Sequence, residues 1–316
     1  MGTAASRGCP AKRGEVRFSP ALREAHSIFS VTIEIMPPRI AIPMPHSSDS
    51  EYAERAIPQY EHAVRLAGGE PVRIPLGVSP AEVMKIAERC DAVLLPGSKA
   101  DVDPAKFGAP RSPSTAPADP RRDAVDELLL HDAYNLRKPV LGICYGLQTL
   151  NVYRNGSLIQ HIPDFLPEDL RTRVNHEAGK NVAVAHTVEI ETDSRLGQIV
   201  GGTDREGHGF SRANKDSAKN GALALEGDRL VVPVNSSHHQ SADVIGGGLH
   251  VSARCLEDGI IEALEGTVSD HFVLAVQWHP ERSVDADKPS RAIFKALIEA
   301  AESRHQQRKG EFQSVK

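Results

Sequence analysis

Ten residues, Leu141 to Leu150 (LGICYGLQTL), contain the pattern that decides the fold. The apolar run from Pro139 to Cys144 predicts a strand, and apolar residues at helical spacing from Tyr145 to Tyr153 predict a helix directly after it. A cysteine between two glycines at such a strand-to-helix turn has the context of a nucleophile elbow, with Cys in place of Ser. The pattern therefore predicts an α/β fold with Cys144 as a candidate nucleophile.

The start of a helix suits a reactive thiolate, because the positive end of the helix dipole and the unpaired N–H groups stabilise negative charge there. The alternative for any single cysteine is a small buried apolar residue, and this interpretation is favoured for Cys90 and Cys255. For Cys144 the elbow favours a catalytic role as nucleophile. A thiol nucleophile also needs a base, which must come from elsewhere in the chain.

Strands and helices alternate before this turn. Apolar runs predict strands over Arg39 to Pro45, Pro71 to Leu76 and Asp91 to Leu95, and helical spacing predicts helices over Glu51 to Leu66 and from Ser79 to about Arg89. Parallel strands need crossover connections, which place helices on both faces of the sheet. We therefore expect a flavodoxin-like three-layer α/β/α sandwich with a mostly parallel central sheet.

The rest of the chain has shorter segments. A loop from Asp101 to Pro120 precedes a helix predicted over Arg121 to Leu136, in which the acidic start from Asp119 to Asp123 is typical of a helix cap. Strands are predicted beyond Arg154 at Thr187 to Glu191, Arg229 to Val234, His250 to Ala253, Ile260 to Leu264 and Val273 to Gln277. The last predicted helix begins at Lys288 and ends near Arg304.

The chain divides into three segments of unequal length. Residues 1–35 contain scattered basic residues and no apolar core of a secretory signal, and they are interpreted as an N-terminal extension with little order. Residues 36–304 are interpreted as one domain, because their strands and helices belong to a single alternating pattern. Residues 305–316 are interpreted as a polar tail.

Composition excludes several classes of function. The net charge of −5 shows no basic excess, so we expect no nucleic-acid partner. Four widely separated cysteines without a CxxC pair argue against a disulfide scaffold, and no stretch reaches the roughly 20 apolar residues needed to cross a bilayer. We expect a cytoplasmic protein that acts on a small molecule, with no membrane partner. Whether it forms a homodimer is left open.

A candidate base follows the last predicted strand. His279 ends an apolar run, and Glu281 lies two residues later, where its carboxylate could hold the imidazole in one tautomer. One alternative is a surface histidine beside a solvated glutamate. A second alternative is a zinc site built from His279, Glu281 and His238 or His239, but no HExxH motif or cysteine cluster accompanies them. We therefore expect neither a metal nor a cofactor.

Six blocks in the same order resemble the class I glutamine amidotransferases, and most closely the branch called peptidase C26, which includes γ-glutamyl-γ-aminobutyrate hydrolase. The blocks are Ile57 to Tyr60 with Ala67 to Pro71, Leu95 to Ser98 with Val102 to Pro104, Asp119 to Asp123, Leu141 to Leu150, Gly156 to Leu158, and Val234 to Ser236 with His239-Gln240 and Val276 to Glu281. The resemblance extends from about Arg39 to Ala300.

The resemblance implies a role for each matching residue. Cys144 would be the nucleophile, His279 the general base and acid, and Glu281 the residue that orients it. Backbone N–H groups of Tyr145 and of Gly97 or Ser98 would hold the oxyanion. Gln148 and His239 are candidates for binding the substrate. The alternative for Gln148 is a packing role in the helix, and the alternative for His239 is a solvated histidine in a loop. Tyr145 occupies a position at which the hydrolase branch more often has Arg.

The resemblance also implies the reaction. The expected activity is hydrolysis of the γ-glutamyl amide bond of a small molecule through a γ-glutamyl thioester, as in the breakdown of polyamines and other γ-glutamylated amines. An alternative is a glutaminase subunit or domain that delivers ammonia to a synthetase partner. A non-catalytic binding protein with the same fold is the third interpretation, and it is disfavoured because Cys144, His279 and Glu281 are all present.

Overall fold

The alternating segments form one side of a large sheet in the computed structural model, which describes residues 36–202, 224–226 and 229–314. The first eight elements are β1 (Arg39–Pro43), α1 (Ser50–Leu66), β2 (Glu70–Ile74), α2 (Pro80–Ala87), β3 (Ala92–Leu95), α3 (Pro120–Leu136), β4 (Val140–Ile143) and α4 (Tyr145–Tyr153). Each was predicted from the sequence to within three residues at both ends. The extension predicted for residues 1–35 lies outside the described residues.

The second half of the chain contains more elements than its sequence pattern predicted. They are β5 (Leu158–Ile159), α5 (Ile162–Phe165), α6 (Glu168–Arg171), β6 (His186–Glu191), α7 (Arg195–Gly201), β7 (Ala224–Glu226), β8 (Arg229–Val234), β9 (Ser241–Ala242), β10 (Leu249–Cys255), β11 (Ile261–Gly266), β12 (Val273–Val276) and α8 (Lys288–Ser314). The predicted strands correspond to β6, β8, β10, β11 and β12. The elements without a prediction are short, except for α7, and short segments show little periodicity.

Ten strands form the central sheet in the order β2-β1-β3-β4-β12-β11-β10-β6-β8-β7. The first five in this order are parallel, and the other five extend the sheet by antiparallel pairing. Strand β4 lies between β3 and β12, and both neighbours are parallel to it. The residues that follow these three strands therefore emerge side by side at one edge of the sheet, which is where α/β folds place their ligand sites.

Helices cover both faces of the sheet, which confirms the predicted three-layer α/β/α architecture. One core cluster packs α1, α7 and α8 against the sheet through residues such as Val64, Leu196 and Leu297. The opposite cluster packs α2, α3 and α4 through residues such as Val83 and Leu129. The site at the edge of β3, β4 and β12 is thus built on strands held between two apolar layers.

Two helix starts have the predicted side-chain caps. Ser79 and Glu82 form a capping box at the start of α2, and the Asp119 carboxylate accepts a hydrogen bond from the Arg122 N–H at the start of α3. Helix α8 is longer than predicted, because it extends to Ser314 and includes most of the predicted polar tail. Polar residues with long side chains favour helix, so polarity by itself does not end one. None of the helices in the described ranges is long and apolar enough to cross a membrane.

Candidate active site

The turn between β4 and α4 holds Cys144 in a strained conformation. Its φ and ψ are 55° and −105°, although it carries a side chain, and only 5% of the residue is exposed. Such backbone conformations persist only where the surroundings enforce them, and they concentrate at functional sites. Cys144 donates its N–H to the carbonyl of Val276 at 2.8 Å, which ties the turn to the end of β12.

The two glycines of the elbow provide space, while the strain lies on Cys144 itself. A Cβ on Gly146 would lie 2.2 Å from the Leu95 carbonyl oxygen, and a Cβ on Gly142 would lie 2.8 Å from the backbone of Gly146. Both residues have ordinary negative φ, since neither is among the glycines with positive φ. Their role is therefore to let α4 begin directly against β3 and β4.

His279 and Glu281 form a buried pair just after β12. Nδ1 of His279 lies 2.7 Å from Oε1 of Glu281, and both residues are 4% exposed. This contact places the ring proton on Nδ1 and leaves Nε2 available to a second partner. Pro280–Arg282 forms a short 3-10 turn that brings the carboxylate back toward the ring two residues earlier.

Asn235 holds the backbone of His279 from both sides, a role that the sequence pattern did not reveal. Its side-chain amide donates to the His279 carbonyl at 2.8 Å, and its side-chain oxygen accepts the His279 N–H at 3.0 Å. Asn235 follows β8, far from β12 in sequence. The one signal for it was its place in the matching block from Val234 to Ser236, where the sequence predicted no role for Asn235 itself.

Cys144 and His279 meet at Gly97. A Cβ on Gly97 would lie 3.0 Å from Cε1 of His279 and 3.6 Å from Cβ of Cys144, so both side chains lie against the Gly97 backbone. Burial lowers the pKa of His279, but the charges of Glu281 and Cys144 outweigh it and raise the pKa to about 9. Burial opposes the ionised form of Glu281, yet His279 more than offsets this and lowers the pKa of that carboxyl group.

A cavity of about 700 Å³ opens beside Cys144 and His279. Its volume lies within the range of roughly 300–1,000 Å³ that is usual for small-molecule sites. Basic side chains outnumber acidic ones on its walls: the former are Arg55, Lys99, Lys180 and Arg282, and the latter are Asp101 and Glu281. Three of these cations already contact a carboxylate: Arg55 contacts Glu51, Lys99 contacts Asp49 and Arg282 contacts Glu281. Lys180 is the wall cation that has no ion-pair partner among the described residues, and it favours a negatively charged group on the ligand.

Three of the candidate binding residues line this cavity: Ser98, Gln148 and His239. Gln148 is buried and donates to the Gln240 carbonyl at 3.1 Å. His239 is half-buried, and its Nε2 lies 3.1 Å from Oδ1 of Asp101, a contact that raises the pKa of the imidazole. The structure thus brings all three to the place that the resemblance implied.

Two other candidates differ from expectation. The N–H of Gly97 donates to the Tyr60 hydroxyl at 3.1 Å, so this donor already has a partner. The Tyr145 side chain is 1% exposed and points away from the cavity, where its hydroxyl donates to Asp123 and its ring lies 5.0 Å from the guanidinium carbon of Arg122. Only the backbone N–H of Tyr145, in the first turn of α4, remains a candidate for contact with substrate.

The alternative zinc site at His279 and Glu281 does not form. Among the described residues, the groups arranged to share a metal ion include neither His279 nor Glu281. Nε2 of His238 faces Glu262 instead, and His239 pairs with Asp101. A buried Glu281 hydrogen-bonded to one imidazole at 2.7 Å orients that imidazole.

The fold and the site together define a glutamine amidotransferase-like hydrolase. The chain belongs to the peptidase C26 family, whose pattern matches residues 40–281. This match includes Cys144, His279 and Glu281.

Individual relatives agree with this class. A protein of Mycobacterium tuberculosis named "Putative glutamine amidotransferase" is 37% identical over 243 residues, which cover 77% of this chain and 66% of the relative. A γ-glutamyl-γ-aminobutyrate hydrolase of Escherichia coli is 31% identical over 247 residues, which cover 77% of this chain and 85% of the relative. A solved structure from Thermoplasma acidophilum, described as a candidate GMP synthase component, has a TM-score of 0.53 at 13% identity and covers 86% of this chain and 98% of its own. It supports the fold alone.

Proposed function

We propose that the protein is a cysteine hydrolase that cleaves the γ-glutamyl amide bond of a small anionic molecule through a γ-glutamyl thioester. One observation carries the proposal: the strained Cys144 and the His279–Glu281 pair follow neighbouring parallel strands and open into the same cavity. A thiol with a base that a carboxylate orients is the arrangement used for nucleophilic acyl transfer.

In the first step, the Cys144 thiolate attacks the γ-carbonyl carbon of the substrate. The C–N bond then breaks, and the leaving amine takes a proton from Nε2 of His279. The raised pKa of His279 keeps the imidazole protonated at neutral pH, so the proton is available for the leaving amine. The products of this step are the free amine and a γ-glutamyl thioester on Cys144.

Two backbone donors suit the oxyanion that forms during this attack. The N–H of Tyr145 belongs to the first turn of α4, where amides have no partner within their own helix, and Ser98 lines the same cavity as Cys144. Gly97 could contribute only if its N–H exchanged the Tyr60 hydroxyl for the oxyanion.

In the second step, water adds to the thioester carbonyl while the neutral His279 accepts its proton. The C–S bond breaks, glutamate leaves, and the proton on His279 restores the starting state with Cys144. Glu281 stabilises the imidazolium in both steps through its contact with Nδ1. The scheme needs no group beyond these side chains and water.

The charge of the cavity supports an anionic leaving amine. A γ-glutamyl group has one α-ammonium and one α-carboxylate, and γ-aminobutyrate adds a second carboxylate at the far end. Lys180, which has no ion-pair partner among the described residues, could pair with such a carboxylate, whereas a conjugate that ends in a cationic amine would meet like charge. The names of several relatives include γ-glutamyl-γ-aminobutyrate hydrolase, which agrees with this substrate.

A substrate panel tests the proposal. Purified protein is offered γ-glutamyl-γ-aminobutyrate, γ-glutamylputrescine and glutamine, and glutamate release is measured. We expect kcat/KM for the γ-aminobutyrate conjugate to exceed that for the putrescine conjugate by about tenfold, the equivalent of about 1.4 kcal/mol. Lys180→Gln should reduce this preference, while Lys85→Gln, on the exposed face of α2, should leave it unchanged. Equal rates on all three substrates would refute the charge argument.

The second candidate is a glutaminase that supplies ammonia to a synthetase partner. The amidotransferase name of the mycobacterial relative is the observation in its favour. A glutaminase of this kind would release ammonia from glutamine and hydrolyse the γ-aminobutyrate conjugate poorly. Turnover of the conjugate by the isolated chain supports hydrolysis, and activity that depends on an added synthetase supports the second candidate.

A further inference from the structure

A second group of histidines lies next to the cavity and takes no part in the proposed reaction. His176 precedes β6, His186 begins β6, His238 lies between β8 and β9, and Glu262 is on β11. All four side chains are at least nine-tenths buried, and Glu262 is 0% exposed. Four separate segments of the chain thus contribute one polar side chain each to the same small space.

The four side chains face one another without forming hydrogen bonds. Oε1 of Glu262 lies 3.4 Å from Nδ1 of His176, 3.5 Å from Nε2 of His186 and 3.5 Å from Nε2 of His238. Each of these atoms is buried and has no hydrogen-bond partner among the described residues. Buried polar atoms normally have partners, so four orphaned atoms at one point require an explanation.

The other nitrogen of each ring is already in use. Nε2 of His176 lies 2.9 Å from Oδ2 of Asp258, Nδ1 of His238 lies 3.0 Å from the Gln240 carbonyl, and Nδ1 of His186 lies 3.3 Å from the Thr187 carbonyl. A carboxylate or carbonyl only accepts, so these nitrogens carry the ring protons. In their neutral form the rings would direct lone pairs at a carboxylate that also only accepts, and a cation between them would satisfy all four atoms.

The distances fit a tetrahedral metal ion. Zinc binds imidazole nitrogen and carboxylate oxygen at about 2.0–2.2 Å, and a tetrahedron with such bonds has edges of about 3.3–3.6 Å. The three distances to Glu262 are of this length, and all four candidate ligand atoms lie within 4.8 Å of one another. Metal-bound histidines usually donate their second N–H to a carboxylate or a backbone carbonyl, which is the pattern found for these three rings.

We propose that His176, His186, His238 and Glu262 bind one zinc ion in a closed structural site. Three imidazoles and one carboxylate fill a tetrahedral coordination shell, so no position is left for water or substrate. One carboxylate ligand and the outer carboxylate of Asp258 balance the charge of a divalent ion. His238 also lines the cavity beside Cys144, but the acyl-transfer steps use none of the four side chains.

The position of His238 gives this zinc ion a function. His238 is a ligand, and the adjacent His239 lines the cavity. The ion would join the segment around His176, the strand β6 and the strand β11 to the loop that forms this wall. Its loss should therefore loosen the wall, raising KM for the substrate more than it lowers kcat.

Metal content is the first test. Untagged wild-type protein is dialysed against zinc-free buffer, and its metals are measured by inductively coupled plasma mass spectrometry. We expect about one zinc ion per chain, because closed sites of this type hold the metal tightly. His186→Gln and Glu262→Gln should each bind far less zinc. The control is Cys90→Ser, a buried thiol that belongs to none of the candidate metal-binding groups among the described residues and should retain the metal.

A spectroscopic measurement on the wild-type chain decides the case in which the variants do not fold. Zinc is removed with a chelator and replaced by Co²⁺, which absorbs strongly in the visible range when its coordination is tetrahedral. We expect this absorption and a thermal midpoint that falls on chelation and recovers with Zn²⁺. A wild-type chain that contains no zinc, takes up none on titration and gives no cobalt absorption would overturn the proposal and show that protons alone hold the cluster.

Discussion

Two buried carboxylates lie near the cavity, and each faces histidine, but the geometry around them differs. Glu281 contacts one imidazole, that of His279, at the hydrogen-bonding distance of 2.7 Å. Glu262 faces three imidazoles at 3.4–3.5 Å and hydrogen-bonds none of them. Both carboxylates are almost completely removed from solvent.

The difference shows that burial alone does not define what a carboxylate does. At Glu281 the contact uses one ring nitrogen and leaves the other free to exchange a proton with Cys144. Around Glu262 the outward nitrogens contact Asp258 and backbone carbonyls, so in neutral rings the inward nitrogens present lone pairs. The first arrangement suits proton transfer, and the second suits a bound cation.

The largest effect is expected from Cys144→Ala, which should reduce hydrolysis by about 10³-fold or more, because no thioester can form. Glutamate release from γ-glutamyl-γ-aminobutyrate measures it. The zinc content should be unchanged, since Cys144 is not one of the proposed zinc ligands. Cys90→Ser is the control, because that buried thiol lies in the apolar core and donates to the carbonyl of Ile86 at 3.4 Å. If Cys144→Ala kept a tenth of the wild-type rate, Cys144 would not be the nucleophile.

Glu281→Gln should lower kcat by about 10²- to 10⁴-fold, the range typical of impaired acid–base catalysis. The neutral amide cannot stabilise the imidazolium, and it can present its NH₂ group to Nδ1 and favour the wrong tautomer. The measurement is kcat on the same substrate, with the thermal midpoint as a check on folding. The matched comparison is Glu262→Gln, which should affect KM and zinc content more than kcat. Equal losses of kcat in both variants would contradict the assignment of Glu281 to proton transfer and of Glu262 to cation binding.

The pH dependence of the reaction sharpens the assignment of His279. Its pKa is raised from an ordinary 6.5 to about 9, so the protonated ring that the leaving amine needs is present below this value and lost above it. We expect kcat/KM to fall as the pH increases through about 9. The stability that His279 gains from its partners is likewise complete below pH 6.5 and lost as the pH approaches 9. In Glu281→Gln the decline in kcat/KM should move to lower pH; an unchanged profile would mean that another group titrates.

Much of the first group, formed by Cys144, His279 and Glu281, could be predicted from the sequence, because its signals are local. The elbow lies within ten consecutive residues, His279 and Glu281 are two positions apart, and the strands that precede them have clear apolar patterns. The alternation of strands and helices also predicted the layered fold, because crossover connections constrain a parallel sheet strongly.

The second group could not be predicted in the same way. His176, His186, His238 and Glu262 are spread over four segments, and no short spacing connects them. They meet because β6 and β11 belong to the antiparallel side of the sheet, whose order depends on long-range pairing. The zinc alternative from the sequence combined His279 and Glu281 with His238 or His239, so it contained at most one of these four residues. The direction of a side chain could not be predicted from the sequence either: Tyr145 follows Cys144, yet its hydroxyl contacts Asp123.

A smaller effect is expected from Asn235→Ala. This change removes both hydrogen bonds to the His279 backbone, which should displace the imidazole slightly and lower kcat by about 10- to 100-fold. KM should change little, because the cavity walls remain. Asn135→Ala, at an exposed position of α3, is the control. A purely structural role would lower the thermal midpoint and leave kcat per folded molecule unchanged, so both quantities are measured.

The smallest effect on turnover is expected from Tyr145→Phe, because the side chain belongs to neither group although it is adjacent to Cys144. The change leaves the backbone N–H in place and removes the hydrogen bond from the phenol to Asp123, so kcat/KM should stay within about twofold. The free energy of unfolding should fall by about 1–3 kcal/mol, since the buried Asp123 carboxylate loses a donor and keeps Lys106 at 3.3 Å. Urea denaturation and the substrate panel measure the two quantities. A changed preference between the γ-aminobutyrate and putrescine conjugates would show that Tyr145 selects the substrate despite its direction in the fold.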